Sequence, residues 1–267
     1  MIARTVVSAA VAASVLAAAP TAFAQDDRVD TLGTLHHKFY ESPQHFAIEL
    51  RLSPFFYPDV DSDPSLHGCT PFMSVFGPGK TALLSAEFDW QALRIPHVGT
   101  LGPGVGIGYA TFSGNAPLAT ANGSGGCLTS TSQSSGEQTS LNIYPFYAVA
   151  VFRVDGPWKD LGIPFVPYAK AGLAGALWQA TNTLGTSNYG GDKGQGYSMG
   201  AQLAIGLAFN LNVLDPYAAR EFDESMGVNS TLLFAEWTDA SLNGLGFQSA
   251  PLRVGGTMWT FGLAWEF

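Results

Sequence analysis

The sequence predicts an all-β protein, an eight-stranded antiparallel transmembrane β-barrel with a short periplasmic helix. Three observations support this fold. Charged residues make up 12% of the 267 residues, whereas they make up about a quarter of a typical soluble domain. Apolar residues alternate with small or polar ones in several segments, which is typical of β-strands. No internal run reaches the roughly 18 apolar residues of a membrane-spanning helix.

The overall composition excludes some other classes of protein. Hydrophobic residues make up 46% of the chain, which argues against intrinsic disorder. The formal net charge of −9 argues against nucleic acid as a partner, because nucleic-acid binding needs a basic surface.

The first 24 residues are expected to form a signal peptide. Arg4 precedes an apolar run over residues 5–19, Pro20 follows it, and Ala22-Phe23-Ala24 supplies the small residues that a signal peptidase recognises. We expect residues 25–43 to form a periplasmic N-terminal segment and residues 44–267 to form the barrel. Export of this kind places the protein outside the cytoplasm.

Period-two alternation is clearest in residues 46–53, 84–91 and 259–267, where one face is aromatic or aliphatic. Five further segments fit less cleanly. They are residues 104–112, 137–153, 165–178, 197–211 and 231–237. Eight strands with an apolar face and a face of small or charged residues predict lipid outside and a crowded lumen inside. A lipocalin-like soluble barrel is the alternative.

The glycines at 104, 106 and 108 alternate along one predicted strand. They do not match a dinucleotide-binding motif, and we expect them to leave room for large lumen side chains of a neighbouring strand.

The connections between the strands predict the orientation. The gaps over residues 55–80, 113–136, 179–196 and 238–255 are long and rich in Gly, Ser, Thr, Asn and Pro, so they are expected to be extracellular loops. On the periplasmic side, Asp215 followed by Pro216 is typical of a helix N-terminus. The periplasmic helix is predicted there.

The C-terminal residues Trp265 and Phe267 are similar to the terminal signature of bacterial outer-membrane proteins, which the barrel assembly machinery reads. Further stretches resemble an uncharacterised outer-membrane β-barrel family of myxobacteria and related deltaproteobacteria. They are HKFYESPQ at 37–44, PYAKAGL at 167–173, and GVN at 227–229 followed by FAE at 234–236. The resemblance spans most of the predicted mature chain. It implies the fold and a place in the bacterial outer membrane, with no catalytic residues to carry over.

No motif in the sequence supports an enzyme or a cofactor site. Residues 76–81 resemble the end of a phosphate-binding loop, but Ser74 stands where that motif needs Gly. Residues 59–63 resemble the start of a calcium loop, but Pro64 replaces the required Gly, so a solvated acidic loop or a loose divalent site remains. The adjacent His36 and His37 make a weak metal site, and no His lies at mid-strand for a Ser–His lipase. No catalytic, cofactor-binding or metal-binding residue is assigned.

Seven charged residues fall on the predicted lumen face: Glu49, Arg51, Glu87, Asp89, Lys170, Glu236 and Glu266. The interior of an eight-stranded barrel is just wide enough for side chains, so we expect a structural charge network in a closed lumen. The predicted function is then structural, or an interaction made by the surface loops. The alternative is a small pore or transport channel, in which five acidic residues against two basic ones would favour cations.

The chain has two cysteines, Cys69 and Cys127. An oxidising compartment favours a disulfide between them, and both fall in predicted extracellular loops. The expected partners of the protein are outer-membrane lipids and lipopolysaccharide, the barrel assembly machinery and periplasmic chaperones.

Overall fold

The computed structural model of the chain describes residues 44–120, 129–183, 185–189, 192–248 and 251–267. The predicted signal peptide and N-terminal segment lie outside these residues. Eight long strands run through the described part: β1 Phe46–Phe56, β2 Thr81–Trp90, β3 Gly99–Thr120, β4 Thr129–Arg153, β5 Phe165–Asn182, β6 Gln195–Asn210, β7 Ser230–Ser241 and β8 Gly256–Glu266. Each strand pairs antiparallel with its neighbour in sequence, and β1 pairs with β8. The predicted eight-stranded antiparallel barrel is therefore confirmed.

The barrel has two ends that differ in their connections. At one end, called the termini end, the backbone N–H of His45 donates a hydrogen bond to the carbonyl of Phe267 at 2.6 Å. Three connections, over residues 91–98, 154–164 and 211–229, also lie there. The opposite end, called the loop end, carries the connections that were predicted to be extracellular.

The predicted helix is confirmed at the termini end. It spans Pro216–Met226, and the Asp215 carboxylate accepts hydrogen bonds from the backbone N–H groups of Tyr217 and Ala218 at 3.1 and 3.0 Å. Such capping satisfies N–H groups that have no partner within the helix. The structure adds two short helices that the sequence did not predict, Pro71–Phe76 at the loop end and Gly156–Leu161 at the termini end. In chain order these three helices are α1 (Pro71–Phe76), α2 (Gly156–Leu161) and α3 (Pro216–Met226). None of the described helices has the length and apolar character needed to cross a bilayer.

The prediction of a loop over residues 113–136 is wrong, because β3 and β4 run through most of it. They contain 22 and 25 residues and stay paired as far as Thr120 and Thr129. β2 reaches only Tyr109 of β3, and β5 reaches only Ser140 of β4, so the two strands continue beyond the barrel as a hairpin. Threonine favours strands, and hydrogen-bonded Ser or Thr pairs across strands stabilise them.

The faces of β1, β2 and β6 to β8 are as predicted. On β1, for example, Ile48 and Leu50 are exposed on the outside while Glu49 and Arg51 are buried in the lumen. β4 is the exception, because its apolar row faces the lumen instead of the outside. That row contains Leu141, Ile143, Tyr147, Val149 and Val151. The alternation on β4 was predicted correctly, but the assignment of its two faces was wrong.

The first part of the inward row of β4, Leu141 and Ile143, lies among other apolar side chains in the half of the lumen nearer the loop end. α1 covers this half, where the Phe72 ring lies 5.0 Å from the Phe112 ring and 5.1 Å from the Tyr57 ring. Leu141 and Ile143 belong to the same buried cluster. We call this cluster the apolar plug. It explains why large aliphatic residues on β4 point inward.

Candidate functional site

The strongest candidate site is a group of charged residues buried in the lumen, between the apolar plug and the termini end. All seven charged residues that the sequence placed on the lumen face are buried there, and the structure adds Arg153. We call these eight residues the lumen cluster: Glu49, Arg51, Glu87, Asp89, Arg153, Lys170, Glu236 and Glu266.

Lys170 and Arg51 form the centre of the cluster. The Lys170 ammonium lies 2.8 Å from Glu49 Oε2, 2.7 Å from Glu87 Oε1 and 3.5 Å from Glu236 Oε2. Arg51 Nη1 lies 2.9 Å from Glu87 Oε2, and its Nη2 donates to Glu236. The same carboxylates thus serve two cations, so the cluster is one network rather than a set of separate pairs.

Arg153 extends the network toward the termini end. Its Nη2 donates to Glu49 and Asp89, and its Nη1 lies 3.2 Å from Glu266 Oε1. Gln91 donates a second hydrogen bond to the same Glu266 oxygen at 2.9 Å. Sequence reasoning missed Arg153 because the residue continues the apolar row of β4, which was placed on the lipid side. A charge at the end of that row was the available signal that the row faces inward.

Three aromatic rings enclose the two central cations, and each ring lies against a glycine of a neighbouring strand. A Cβ on Gly106 would come within 2.2 Å of the Tyr147 ring. Likewise, a Cβ on Gly206 would come within 2.4 Å of the Tyr168 ring, and a Cβ on Gly262 would come within 2.6 Å of the Phe234 ring. These glycines therefore leave the space that the rings occupy, as the sequence predicted for Gly106.

The rings complete the surroundings of the cations. The Arg51 guanidinium lies 6.0 Å from the Tyr147 ring centre and 5.5 Å from that of Phe234, and Lys170 Nζ lies 5.2 Å from that of Tyr168. Attraction between a cation and an aromatic face is stronger where both are removed from water. The Tyr147 hydroxyl also donates to Glu87 Oε2 at 2.8 Å.

The cluster has the composition of a packed ionic layer. Oxygen atoms of Glu49, Glu87 and Asp89 lie within 4.8 Å of one another, as metal ligands would. Arg51, Arg153 and Lys170 already contact these carboxylates, so the chain supplies its own counter-charges. A cavity of about 40 Å³ lies beside the cluster, lined in part by Arg51, Tyr147 and Thr260. It has room for a few ordered waters at roughly 10–15 Å³ each.

The acidic residues 59–63 at the loop end serve local structure. The Asp61 carboxylate accepts hydrogen bonds from the backbone N–H groups of Phe72 and Met73 at 2.8 Å each, at the start of α1. Asp63 accepts one from Ser65, which lowers the pKa of Asp63. Burial, together with the nearby Asp239 carboxylate, raises the pKa of Asp59. Two of the three carboxylates thus cap backbone turns, which disfavours a divalent site here.

The other sequence candidates fall at separate places. Residues 76–81 run from the last residue of α1 to the first residue of β2, whereas a phosphate-binding loop follows a strand and precedes a helix. His97 Nδ1 lies 2.9 Å from Asp160 at the termini end, and His67 Nδ1 lies 3.3 Å from the Pro64 carbonyl at the loop end. His36 and His37 lie outside the described residues.

Of the two cysteines in the predicted disulfide, only Cys69 lies within the described residues. Cys69 is bonded as a disulfide and is not a free thiol. Cys127 lies outside the described residues, so its pairing with Cys69 stays a prediction.

Comparisons with known proteins add little beyond the fold. No protein-family model matches the chain, and no curated protein matches it in sequence. Among solved structures, it is similar to Ail, the attachment invasion locus protein of Yersinia pestis, in complex with the heparin analogue sucrose octasulfate. That match has 12% identity, covers 84% of this chain and 97% of Ail, and has a TM-score of 0.38.

Two further solved structures give similar values. The N-terminal β-barrel domain of Pseudomonas aeruginosa OprF has 11% identity, coverage of 84% and 100%, and a TM-score of 0.38. The outer membrane protease OmpT from Escherichia coli has 8% identity, coverage of 84% and 94%, and a TM-score of 0.34. These scores are too low to carry an argument about function. None of the three supports the resemblance to a myxobacterial or deltaproteobacterial family, and the closed barrel rests on its strand pairing.

Proposed function

We propose that the chain is an integral β-barrel protein of a bacterial outer membrane with a closed lumen, and that it acts through its loop end. The outward rows of the strands support the membrane location. Ile107, Leu203 and Ile205 are between 58% and 70% exposed on the outside of the barrel. Exposed apolar surface on this scale marks contact with lipid or a partner, and a closed barrel pairs the backbone groups that lipid would leave unsatisfied. The termini end is then periplasmic.

The observation that carries the closed lumen is the burial of Lys170. Its side chain lies in the middle of the lumen, where it contacts three carboxylates, and it has no solvent-exposed surface. The lumen cluster occupies the part of the interior nearer the termini end, and the apolar plug with Phe72 occupies the part nearer the loop end, with a cavity of about 40 Å³ beside them. An interior filled in this way leaves the loops as the surface for interaction, without a catalytic step.

The loop end offers apolar contact residues to a partner. Phe247 is 91% exposed in the connection between β7 and β8. Met73 on α1 is also exposed, next to the buried Phe72. Lipopolysaccharide and surface molecules are the expected partners there, while the barrel wall contacts membrane lipid.

A small cation-preferring pore is the second candidate. The lumen cluster contains five carboxylates, Glu49, Glu87, Asp89, Glu236 and Glu266, against the three cations Arg51, Arg153 and Lys170. An excess of negative charge would favour cations in any conduit through this layer.

Single-channel recording in planar bilayers separates the two candidates. We expect no steady current from the wild-type protein, and we expect Phe72→Ala, which weakens the apolar plug, to give more frequent transient openings than Met73→Ala. A steady wild-type current that selects cations and loses selectivity in Glu236→Gln would support the pore instead.

The membrane location has its own test. In the native host, the folded protein should fractionate with the outer membrane and migrate differently on a gel before and after heating. Recovery in the soluble periplasmic fraction would refute the proposal as a whole.

A further inference from the structure

Each of the three connections at the termini end exposes large apolar side chains beyond the ends of the eight long strands. In the first connection, Leu93–Ile95 form a short strand that pairs with the start of β3. Each connection contains at least two such residues, and we select two from each, with exposed fractions between 42% and 73%. We call them the collar: Leu93, Ile95, Leu161, Ile163, Val213 and Leu214. Short connections in contact with water alone would be expected to be polar.

The collar continues the outward row of the barrel wall. In each connection an outward aromatic residue stands at the neighbouring strand end: Trp90 before Leu93, Phe165 after Ile163, and Phe209 before Val213. The rings of Phe165 and Phe209 lie 5.4 Å apart, and the N–H of Asn210 donates to the Pro164 carbonyl at 2.7 Å. In all three connections an outward aromatic residue of the wall is therefore close in sequence to the collar residues.

The distribution of the collar favours a bilayer as its partner. The three connections follow β2, β4 and β6, so they are spread around the barrel rather than grouped on one side. A bilayer surrounds a barrel on every side, whereas a docked protein covers one side.

The charges of the longest connection are consistent with an apolar attraction. Residues 211–229 contain Asp215, Glu221, Asp223 and Glu224 against a single base, Arg220. Such a segment gains nothing from anionic headgroups. In the other two connections, Arg94 and Lys159 both contact Asp155.

We propose that the collar is a lipid-binding surface that lies at the boundary between headgroups and acyl chains in the periplasmic leaflet. This inference rests on the proposed membrane location and extends the apolar height of the barrel beyond its eight long strands. A barrel with a taller apolar surface fits a thicker bilayer, because a difference between the apolar height of the protein and the hydrocarbon thickness of the bilayer costs free energy.

The test uses the full predicted mature chain refolded into phosphatidylcholine vesicles, in a Cys69→Ser/Cys127→Ser background. A polarity-sensitive fluorophore is attached to Leu93→Cys, Leu161→Cys or Leu214→Cys in turn, with Glu224→Cys on α3 as the matched control. We expect blue-shifted emission and quenching by spin-labelled lipid at all three collar positions, with little of either at Glu224. Heat-modifiable migration of each variant shows separately that the barrel has inserted.

The outcomes distinguish the two proposals. Inserted barrels with water-like emission at the collar would overturn the collar and leave the membrane location intact. Lipid contact at one position alone would also overturn it and indicate a docking site for a protein. Failure of every variant, and of the wild type, to insert would overturn both proposals.

A second measurement avoids labels. We expect the wild type to reach a larger folded fraction in vesicles of long-chain than of short-chain phosphatidylcholine, and the triple variant Leu93→Gln/Leu161→Gln/Leu214→Gln to lose this difference. An unchanged difference in the triple variant would contradict the collar. A wild type without the difference would also contradict the collar.

Discussion

The Tyr147 ring lies against Gly106 of the neighbouring strand, so closely that a Cβ there would come within 2.2 Å of the ring. The Tyr147 hydroxyl donates to Glu87, which also contacts Lys170 and Arg51. A glycine in β3 thus determines where a tyrosine of β4 meets the lumen cluster. The absence of a side chain at position 106 is part of the cluster's geometry.

Replacing Gly106 with alanine should destabilise the barrel. The added methyl group must displace the Tyr147 ring and weaken its hydrogen bond to Glu87, and overpacking of this kind costs typically 1–3 kcal/mol. Urea titration in lipid vesicles measures the change in the free energy of unfolding. Gly136→Ala is the matched control, because nothing lies within 4 Å of a Cβ at Gly136. Equal stability of the two variants would show that the ring has room to move.

Replacing Lys170 with methionine should be more damaging. The change leaves the carboxylates of Glu49, Glu87 and Glu236 with one cation fewer in a buried site, and breaking a buried ion pair costs about 3–5 kcal/mol. Lys193→Met, at an exposed lysine beyond the barrel wall, is the control. A double variant with Glu87→Gln should recover part of the loss, which a double-mutant cycle measures. Additive losses would mean that Lys170 and Glu87 do not interact energetically.

Sequence patterns predicted the parts of this structure that depend on local alternation. The faces of β1 and the capping of α3 by Asp215 follow from residues that are neighbours in the chain. The seven lumen charges that the sequence predicted could be placed together because a narrow barrel brings inward residues within reach of one another.

The missed features depend on packing between distant parts of the chain. A row of apolar side chains can face either lipid or an apolar interior. The inward row of β4 was assigned to lipid because the apolar plug could not be recognised from the sequence. Phe72 enters the plug from a connection whose fold could not be read from its sequence. Arg153 was lost with the same assignment, because it shares the row of Val149 and Val151.

The outward face of β6 should reject a charge. Ile205 is 62% exposed on the outside of the barrel, and an arginine facing lipid near the bilayer midplane costs about 2–4 kcal/mol. We expect Ile205→Arg to lower the free energy of unfolding by that amount in vesicles. Phe247→Arg is the control, because Phe247 lies in a connection beyond the wall and its replacement should be nearly neutral. If both variants unfold at the wild-type urea concentration, the lipid-facing assignment of β6 is wrong.

Cys69 should be bonded to Cys127. Cys69 lies between β1 and β2, and position 127 lies between β3 and β4, so both connections emerge at the loop end. By the chain-entropy model, a disulfide that closes the segment between residues 69 and 127 would add roughly 4 kcal/mol to the free energy of unfolding. We expect a smaller gain, because the strands already hold the connections together. Mass spectrometry of unreduced peptides from the intact outer membrane is the direct test. Free thiols at both positions would contradict the pairing.

Phe267 should be needed for assembly, and two variants separate its backbone from its ring. The Phe267 carbonyl accepts hydrogen bonds from the N–H groups of His45 and Phe46 at 2.6 and 3.0 Å, and its own N–H donates to Phe46 at 2.8 Å. Deleting Phe267 removes these bonds at the seam between β1 and β8, together with the ring that the assembly machinery is expected to read. Phe267→Ala removes the ring alone.

We therefore expect the deletion to lower the folded fraction in vesicles and the amount of protein in the outer membrane of the native host. Phe267→Ala should fold normally in vesicles and still reach the outer membrane in reduced amount, because only the cell requires the ring. Loss of folding in both systems for Phe267→Ala would assign the ring a structural role instead. If the deletion variant reached the outer membrane in wild-type amounts, Phe267 would be needed neither for the seam between β1 and β8 nor for the assembly signal.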